Sequence, residues 1–201
     1  MKSLPYLAAP FAFVSLALAA GLAQAEPGAA NACPPYGFLN ATNYAANPSF
    51  ETLGPNGSPV SWQNGQPVPA PSAAASWTMH SSNNGARVTS ALEATTVPQN
   101  GGARMMHFTS GSNEGGVFQT IANAPAKVMF SVWVKVRRGH VAIQTHGGNM
   151  GPVSWSTKVG EWEQLRVCTD GSVPTTMPII YNQDPAGGDF YFDRVEVRAI
   201  P

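Results

Sequence analysis

The chain has 201 residues, of which 11% are charged, and its 11 Lys and Arg balance 11 Asp and Glu. No basic stripe is present to attract phosphates or an anionic bilayer, so nucleic acids and lipid surfaces are excluded as expected partners. An uncharged partner suits such a sequence, and 20 Gly with 18 Pro announce many turns.

Lys2 supplies a positive start, Leu4 to Leu22 form an apolar stretch interrupted by Pro5 and Pro10, and Ala23-Gln24-Ala25 is a small-x-small cleavage site. Residues 1–25 therefore read as a secretory signal peptide cut before Glu26. The apolar core is too short and too proline-broken for a membrane span. The expected location is periplasmic or extracellular, with no membrane insertion after cleavage. Residues 26–39 read as an N-terminal arm. Residues 40–201 read as one domain, since a mature chain of about 175 residues suffices for a full core. Cys33 and Cys168 both fall in the exported part. An even count in an oxidising compartment predicts one disulfide, tying the arm to a late strand.

No helical period of useful length runs through the mature chain. Short alternating runs, broken by Gly, Pro, Asn and Ser, predict strands at 86–89, 105–109, 117–121, 128–137, 140–146, 164–169, 179–182 and 190–197. Gln66 to Ala75, rich in Pro and Ala, reads as a surface loop. Regular short strands of this kind predict an all-β sandwich or barrel. The runs 128–137 and 140–146 flank Arg138-Gly139, which suits a two-residue hairpin turn. That register sets Trp133 opposite Gln144 and Ser131 opposite His146. Side chains alternate across a sheet. Phe130, Val132, Val134, Val136, Val141 and Ile143 then take the core face, while Ser131, Trp133, Gln144 and His146 share the polar one.

Two end motifs bracket these strands. Asn47-Pro48-Ser49-Phe50-Glu51 is followed by Gly54, Gly57 and Trp62, and Asp189-Phe190-Tyr191-Phe192-Asp193-Arg194-Val195-Glu196-Val197 stands near the finish. The pair resembles the jelly-roll carbohydrate-binding modules of the galactose-binding-like superfamily, especially those that bind cellulose, xylan and β-glucan. The resemblance covers roughly Asn40 to Ala199. It implies a two-sheet antiparallel jelly-roll sandwich and non-catalytic binding of a neutral polysaccharide or glycan. It also implies that Glu51 and Asp193 are neighbours, where family members often hold a structural Ca²⁺ through hard oxygen ligands. Arg194 stands where the family often has a second Asp. Carboxylates that cap a turn or pair with a nearby Arg are the alternative.

A sugar ring offers an apolar C–H face to an aromatic plane and a rim of hydroxyls to amides, carboxylates or Arg. Sites of this kind combine apolar walls with a few placed polar groups. Trp133, Gln144, Ser131 and His146 have that character. Gln119 resembles the Gln of the strand that precedes the Trp strand in the family, and Trp77 and Trp155 lie in loop-rich surroundings as candidate cleft walls. Trp62 and Trp162 read as packing residues, since Trp mostly buries its area. His140 and His146 are about 20 Å apart along one strand, too far to share a metal. His80 and His107 have no sequence partner. A glycosidase needs two carboxylates across a cleft; Glu114 is a lone candidate and no pair stands out. Two further readings stay open. One is a structural or adhesive cell-surface protein whose same face takes a protein partner. The other is a small polysaccharide-degrading enzyme.

Overall fold

The structure is a computed structural model that describes residues 33–54, 60–62, 74–80, 86–92, 102–111, 115–146, 150–171 and 177–201. The predicted leader at 1–25, residues 26–32 of the predicted arm and Glu114 lie outside the described residues. After a 3₁₀ turn at Tyr36–Phe38 the chain runs through β1 (Val60–Trp62), β2 (Thr78–His80), β3 (Ala86–Leu92), β4 (Arg104–Thr109), β5 (Gly116–Phe118) and β6 (Val128–Arg138). It continues through β7 (Val141–His146), β8 (Met150–Trp155), β9 (Trp162–Cys168), β10 (Met177–Asn182) and β11 (Asp189–Ala199). No helix among the described residues is long and apolar enough to cross a membrane.

The strands form two antiparallel sheets. One has six strands in the order β1-β3-β4-β11-β6-β9, the other five in the order β2-β5-β10-β7-β8. β6 shows why the sequence chooses this state. Val132, Val134 and Val136 are buried, and Trp133 and Lys135 between them are only partly so. β-Branched residues at every second position suit a pleated surface buried on one side. Phe130, Phe190, Phe192, Val195 and Val197 complete that inward face, and Met79, Val117, Val141, Ile143 and Ile180 meet it from the five-stranded sheet.

The predicted hairpin does not form. β6 pairs with β9 and β11, whereas β7 pairs with β8 and β10. The chain leaves one sheet at Arg138-Gly139 and enters the other. Gly139 takes a φ of +82°, and a Cβ there would lie 2.6 Å from the Gly187 carbonyl oxygen. The crossing is therefore packed against the turn between β10 and β11. Alternation cannot separate the two arrangements. A pair of strands facing each other across a core shows the same inward apolar pattern as a pair lying side by side.

The Asn47–Glu51 motif is a knot of local bonds. Asn47 Oδ1 accepts the Thr52 N–H at 3.0 Å, and Nδ2 donates to Thr52 O at 2.8 Å and Ala75 O at 3.0 Å. Phe50 is fully buried at a φ of 55°. Its ring centroid lies 5.3 Å from those of both Trp77 and Phe192, the latter edge-on. The Val195 N–H donates to Pro48 O at 2.8 Å, which fastens the knot to β11. The predicted disulfide, Cys33–Cys168, is present. It places the described part of the arm over the outer face of the six-stranded sheet, because Cys168 is opposite Met129, which shares that face with Ser131 and Trp133.

Truncating a buried Phe typically costs about 3–5 kcal/mol. Phe50→Ala is therefore expected to lower the unfolding free energy by that amount, read as a lower denaturant midpoint at an unchanged m-value. A loss near 1 kcal/mol would show that the ring is not the plug its contacts describe.

Candidate functional site

The sandwich sends the predicted site residues to different places. Ser131 and Trp133 lie on the outer face of the six-stranded sheet, where Trp133 is flanked by Asp193 of β11 and Gln164 of β9. Gln144 and His146 lie on the outer face of the five-stranded sheet. Facing sheets are about 10 Å apart, so these two pairs are on opposite surfaces of the molecule and cannot touch one ring. Trp77 is fully buried in the core, and its Nε1–H donates to Asn47 O at 3.3 Å. It does not form a cleft wall. Gln119 is also buried. Its Oε1 accepts the Ala46 N–H at 2.8 Å, and its Nε2 donates to Ala46 O and Ser76 O, both at 3.0 Å. That amide clamps the N-terminal segment to the approach of β2, which uses its donors and its acceptor structurally.

The remaining expectation, Trp155, is 41% exposed. It stands on β8, on the same face as Gln144, and the register builds two rows around it. Trp155 is opposite Ala142, which is opposite Tyr181, which is opposite Gly116. Val153 is opposite Gln144, then come Ile179, Phe118 and Thr78. In the first row rings alternate with residues that have little or no side chain, which leaves room beside each ring. Gly116 permits nothing larger: a Cβ there would sit 1.9 Å from Ile180 O. The second row supplies an apolar floor interrupted by one amide.

Gln144 and Tyr181 hold each other. The Tyr181 hydroxyl donates to Gln144 Oε1 at 3.3 Å, and Gln144 Nε2 donates to Gly151 O at 2.8 Å. The Trp155 ring meets Tyr181 edge-on at 6.3 Å between centroids. The indole is thereby braced from below while much of it stays in solvent. None of β2, β5, β7, β8 and β10 contains an Asp, Glu, Lys or Arg. Tyr181 and Phe118 were not singled out in the sequence. Tyr181 sits in the alternating run 179–182, but its partner Trp155 is visible only once β8 pairs with β7.

The acidic candidates act as anchors. Glu51 Oε1 accepts the backbone N–H groups of Ala103 at 2.9 Å and Arg104 at 2.8 Å. Asp193 is fully buried, and its Oδ1 accepts the Arg194 N–H at 2.6 Å. Glu163 Oε1 takes the N–H groups of Thr157 and Lys158 at 2.8 and 3.0 Å. His107 Nε2 lies 2.8 Å from Asp189 Oδ1, with its ring stacked on Tyr191. No group of three or more His, Cys, Asp or Glu that could hold a metal ion occurs among the described residues.

Solved structures share this architecture. The carbohydrate-binding module TmCBM61, solved in complex with β-1,4-galactotriose, superposes with a TM-score of 0.51 at 18% identity, over 78% of this chain and 98% of that one. The fold is a two-sheet jelly-roll sandwich, shared with that carbohydrate-binding module. The same jelly roll occurs in the enzymatically active domain of tailspike protein 4 from bacteriophage CBA120, with a TM-score of 0.50 at 14% identity, over 77% of this chain but 21% of that one. No family model matches the sequence, and no curated protein sequence is significantly similar to it.

Burial holds the Tyr181 phenol neutral, its pKa pushed up from 10.0 to about 12. The folded pKa exceeds the unfolded one, so this contribution to stability is complete below pH 10 and is lost as pH rises towards 12. The loss is at most about 3 kcal/mol, two pKa units of differential ionisation. Tyr181→Phe is expected to remove that part of the alkaline slope in denaturation midpoints taken at pH 9, 10 and 11. An identical slope in the variant would place the titrating group elsewhere.

Proposed function

We propose that the protein is a secreted, non-catalytic binder of a neutral polysaccharide or glycan, and that it binds through the outer face of the five-stranded sheet. The observation that carries the reading is the Trp155 indole, exposed and braced by Tyr181, on a face whose strands contain no formal charge. An aromatic plane takes the C–H face of a pyranose, and the neighbouring amide and hydroxyl groups take its rim. An uncharged face costs nothing in desolvated ions and gives nothing to an anionic polymer. TmCBM61, of the same fold, was solved with β-1,4-galactotriose, which supports a glycan as ligand. The disulfide and the leader-like residues 1–25 support export to an oxidising compartment.

Affinity electrophoresis in gels containing galactan, xylan, β-glucan or a cellulose derivative tests the proposal. At least one neutral polymer is expected to retard the protein, and Trp155→Ala to abolish the retardation while leaving the fold intact. Migration unaffected by every polymer, together with self-association on gel filtration, would instead assign the face to a protein partner. Reducing ends released from the same panel would assign an enzyme, with Glu114→Gln as its first control.

Calcium plays no step in this binding. The Glu51 oxygen that accepts two backbone N–H groups already has its charge answered by the β4 entry, which supports the capping alternative over a cation. The melting temperature is expected to be the same in 1 mM CaCl₂ and in excess chelator. A rise of several degrees with calcium would restore the cation reading at Glu51 and Asp193.

A further inference from the structure

The two sheets divide the formal charge unequally. The five strands of one sheet contain none, while the six strands of the other contain eight Lys or Arg against four Asp or Glu, in a chain whose totals are 11 and 11. On the outer side of that second sheet lies a groove of about 480 Å³ lined by Tyr36, Trp133, Gln164, Arg166, Arg194 and Glu196. Its volume is in the range of small-ligand sites, roughly 300–1,000 Å³.

Arg166 is set in place before any ligand arrives. Its guanidinium carbon lies 4.1 Å from the centre of the Tyr36 ring. Its Nε and Nη2 both donate to Gln164 Oε1, at 3.2 and 2.8 Å. Tyr36 in turn contacts Ser131 Oγ at 3.4 Å through its hydroxyl. Stacked on Tyr36 and bonded to Gln164 through Nε and Nη2, the guanidinium keeps Nη1 outside those bonds, and Arg166 lines the groove together with the half-buried Trp133.

The carboxylates nearby are engaged through at least one oxygen, and Glu196 Oε2 is buried without a hydrogen-bond partner. Glu196 Oε1 pairs with Arg198 Nη2 at 3.2 Å, Asp189 contacts His107 and lies 3.7 Å from Arg137, and Asp193 is buried on its own backbone. The opposite wall is a β-bulge between Asp193 and Glu196, which holds Arg194 at a φ of 50°. A non-glycine residue in that region is uncommon, and bulges often re-aim side chains beside sites.

We propose that this groove is a second saccharide site, specific for a sugar that carries a carboxylate, a uronate. The pyranose C–H face lies on Trp133 and the carboxylate meets Arg166. Planar guanidinium and carboxylate form the stronger, charge-assisted kind of hydrogen bond. A nucleic acid fits less well, because the groove offers one indole rather than a track of stacking platforms. The inference does not rest on the neutral-glycan reading, and either can fail alone.

Titration calorimetry of the full-length mature protein with de-esterified oligogalacturonate tests it. Binding is expected, and weaker by at least about tenfold in Arg166→Gln, the size of one hydrogen bond to a charged group. Trp133→Ala is expected to abolish it, with the denaturant midpoint measured alongside. Lys158→Gln, a surface cation outside the groove, serves as the charge-matched control and is expected to change nothing. The proposal is overturned by no binding, by equal weakening in Lys158→Gln, or by equally tight binding of dextran sulfate or single-stranded DNA. The last two outcomes would mean plain polyanion attraction.

Discussion

The fold depends on one long-range closure: the knot at Asn47–Glu51 seated on the last strand. Its backbone cannot continue as a strand, because Asn47 and Phe50 both have positive φ. Such residues cost about 1–3 kcal/mol each and persist only where the surroundings over-determine them. Here they are over-determined. The Asn47 side chain satisfies three backbone groups, Trp77 Nε1–H bonds the Asn47 carbonyl, and Val195 bonds the Pro48 carbonyl. The strain turns the Phe50 ring inward between Trp77 of one layer and Phe192 of the other. Phe50 thus joins the two sheets beside the last strand.

With that closure made, the two outer faces are independent surfaces. The core between them is apolar and about 10 Å thick, so a polar residue on one face cannot serve a ligand on the other. The separation also explains the charge distribution. β11 and β6 are neighbours in the six-stranded sheet, with Asp189, Asp193, Glu196, Arg198, Lys135 and Arg137 among their outward residues and Phe or Val inward. β10 and β7 are neighbours in the other sheet and place Tyr181, Ala142 and Gln144 outward instead. One chain with no net charge thereby carries a neutral surface and a cationic one.

Much of the architecture was legible in the sequence. Period-2 runs gave the strands at 105–109, 128–137 and 179–182 close to their observed bounds, and the end motifs gave a jelly roll. The disulfide was expected from two cysteines that both lie beyond the leader-like residues 1–25. The site was less legible, and a single step accounts for most of the difference. Pairing β6 with β7 put Trp133 beside Gln144, where the true neighbours of Trp133 are Asp193 and Gln164 from strands 60 and 31 residues later. Hydrophobic alternation fixes which way a residue points relative to the core; it does not fix which sheet holds the strand. Trp77 illustrates a second limit. Its polar, loop-like setting in the sequence hides a position fully enclosed by Phe50, because burial by a distant segment leaves no local pattern.

The N-terminal segment is where covalent and non-covalent restraints combine to shape a surface. Fixing a residue's backbone costs about 1–2 kcal/mol, and the 3₁₀ turn at Tyr36–Phe38 buries no residue that could offset it. A cation–π contact of about 0.5–1 kcal/mol at an exposed site does not suffice either. What orders Tyr36 is its position between two anchors. The disulfide holds Cys33 to β9. On the other side Asn40 and Tyr44 donate their N–H groups to Ala199 and Val197 of β11 at 3.1 and 2.8 Å, and Asn43 bonds the same strand. The span between the anchors is too short to leave the sheet, so Tyr36 stays beside Arg166. The wall of the Trp133 groove is thus set by chain connectivity, and its integrity is tied to the oxidised state of Cys33 and Cys168.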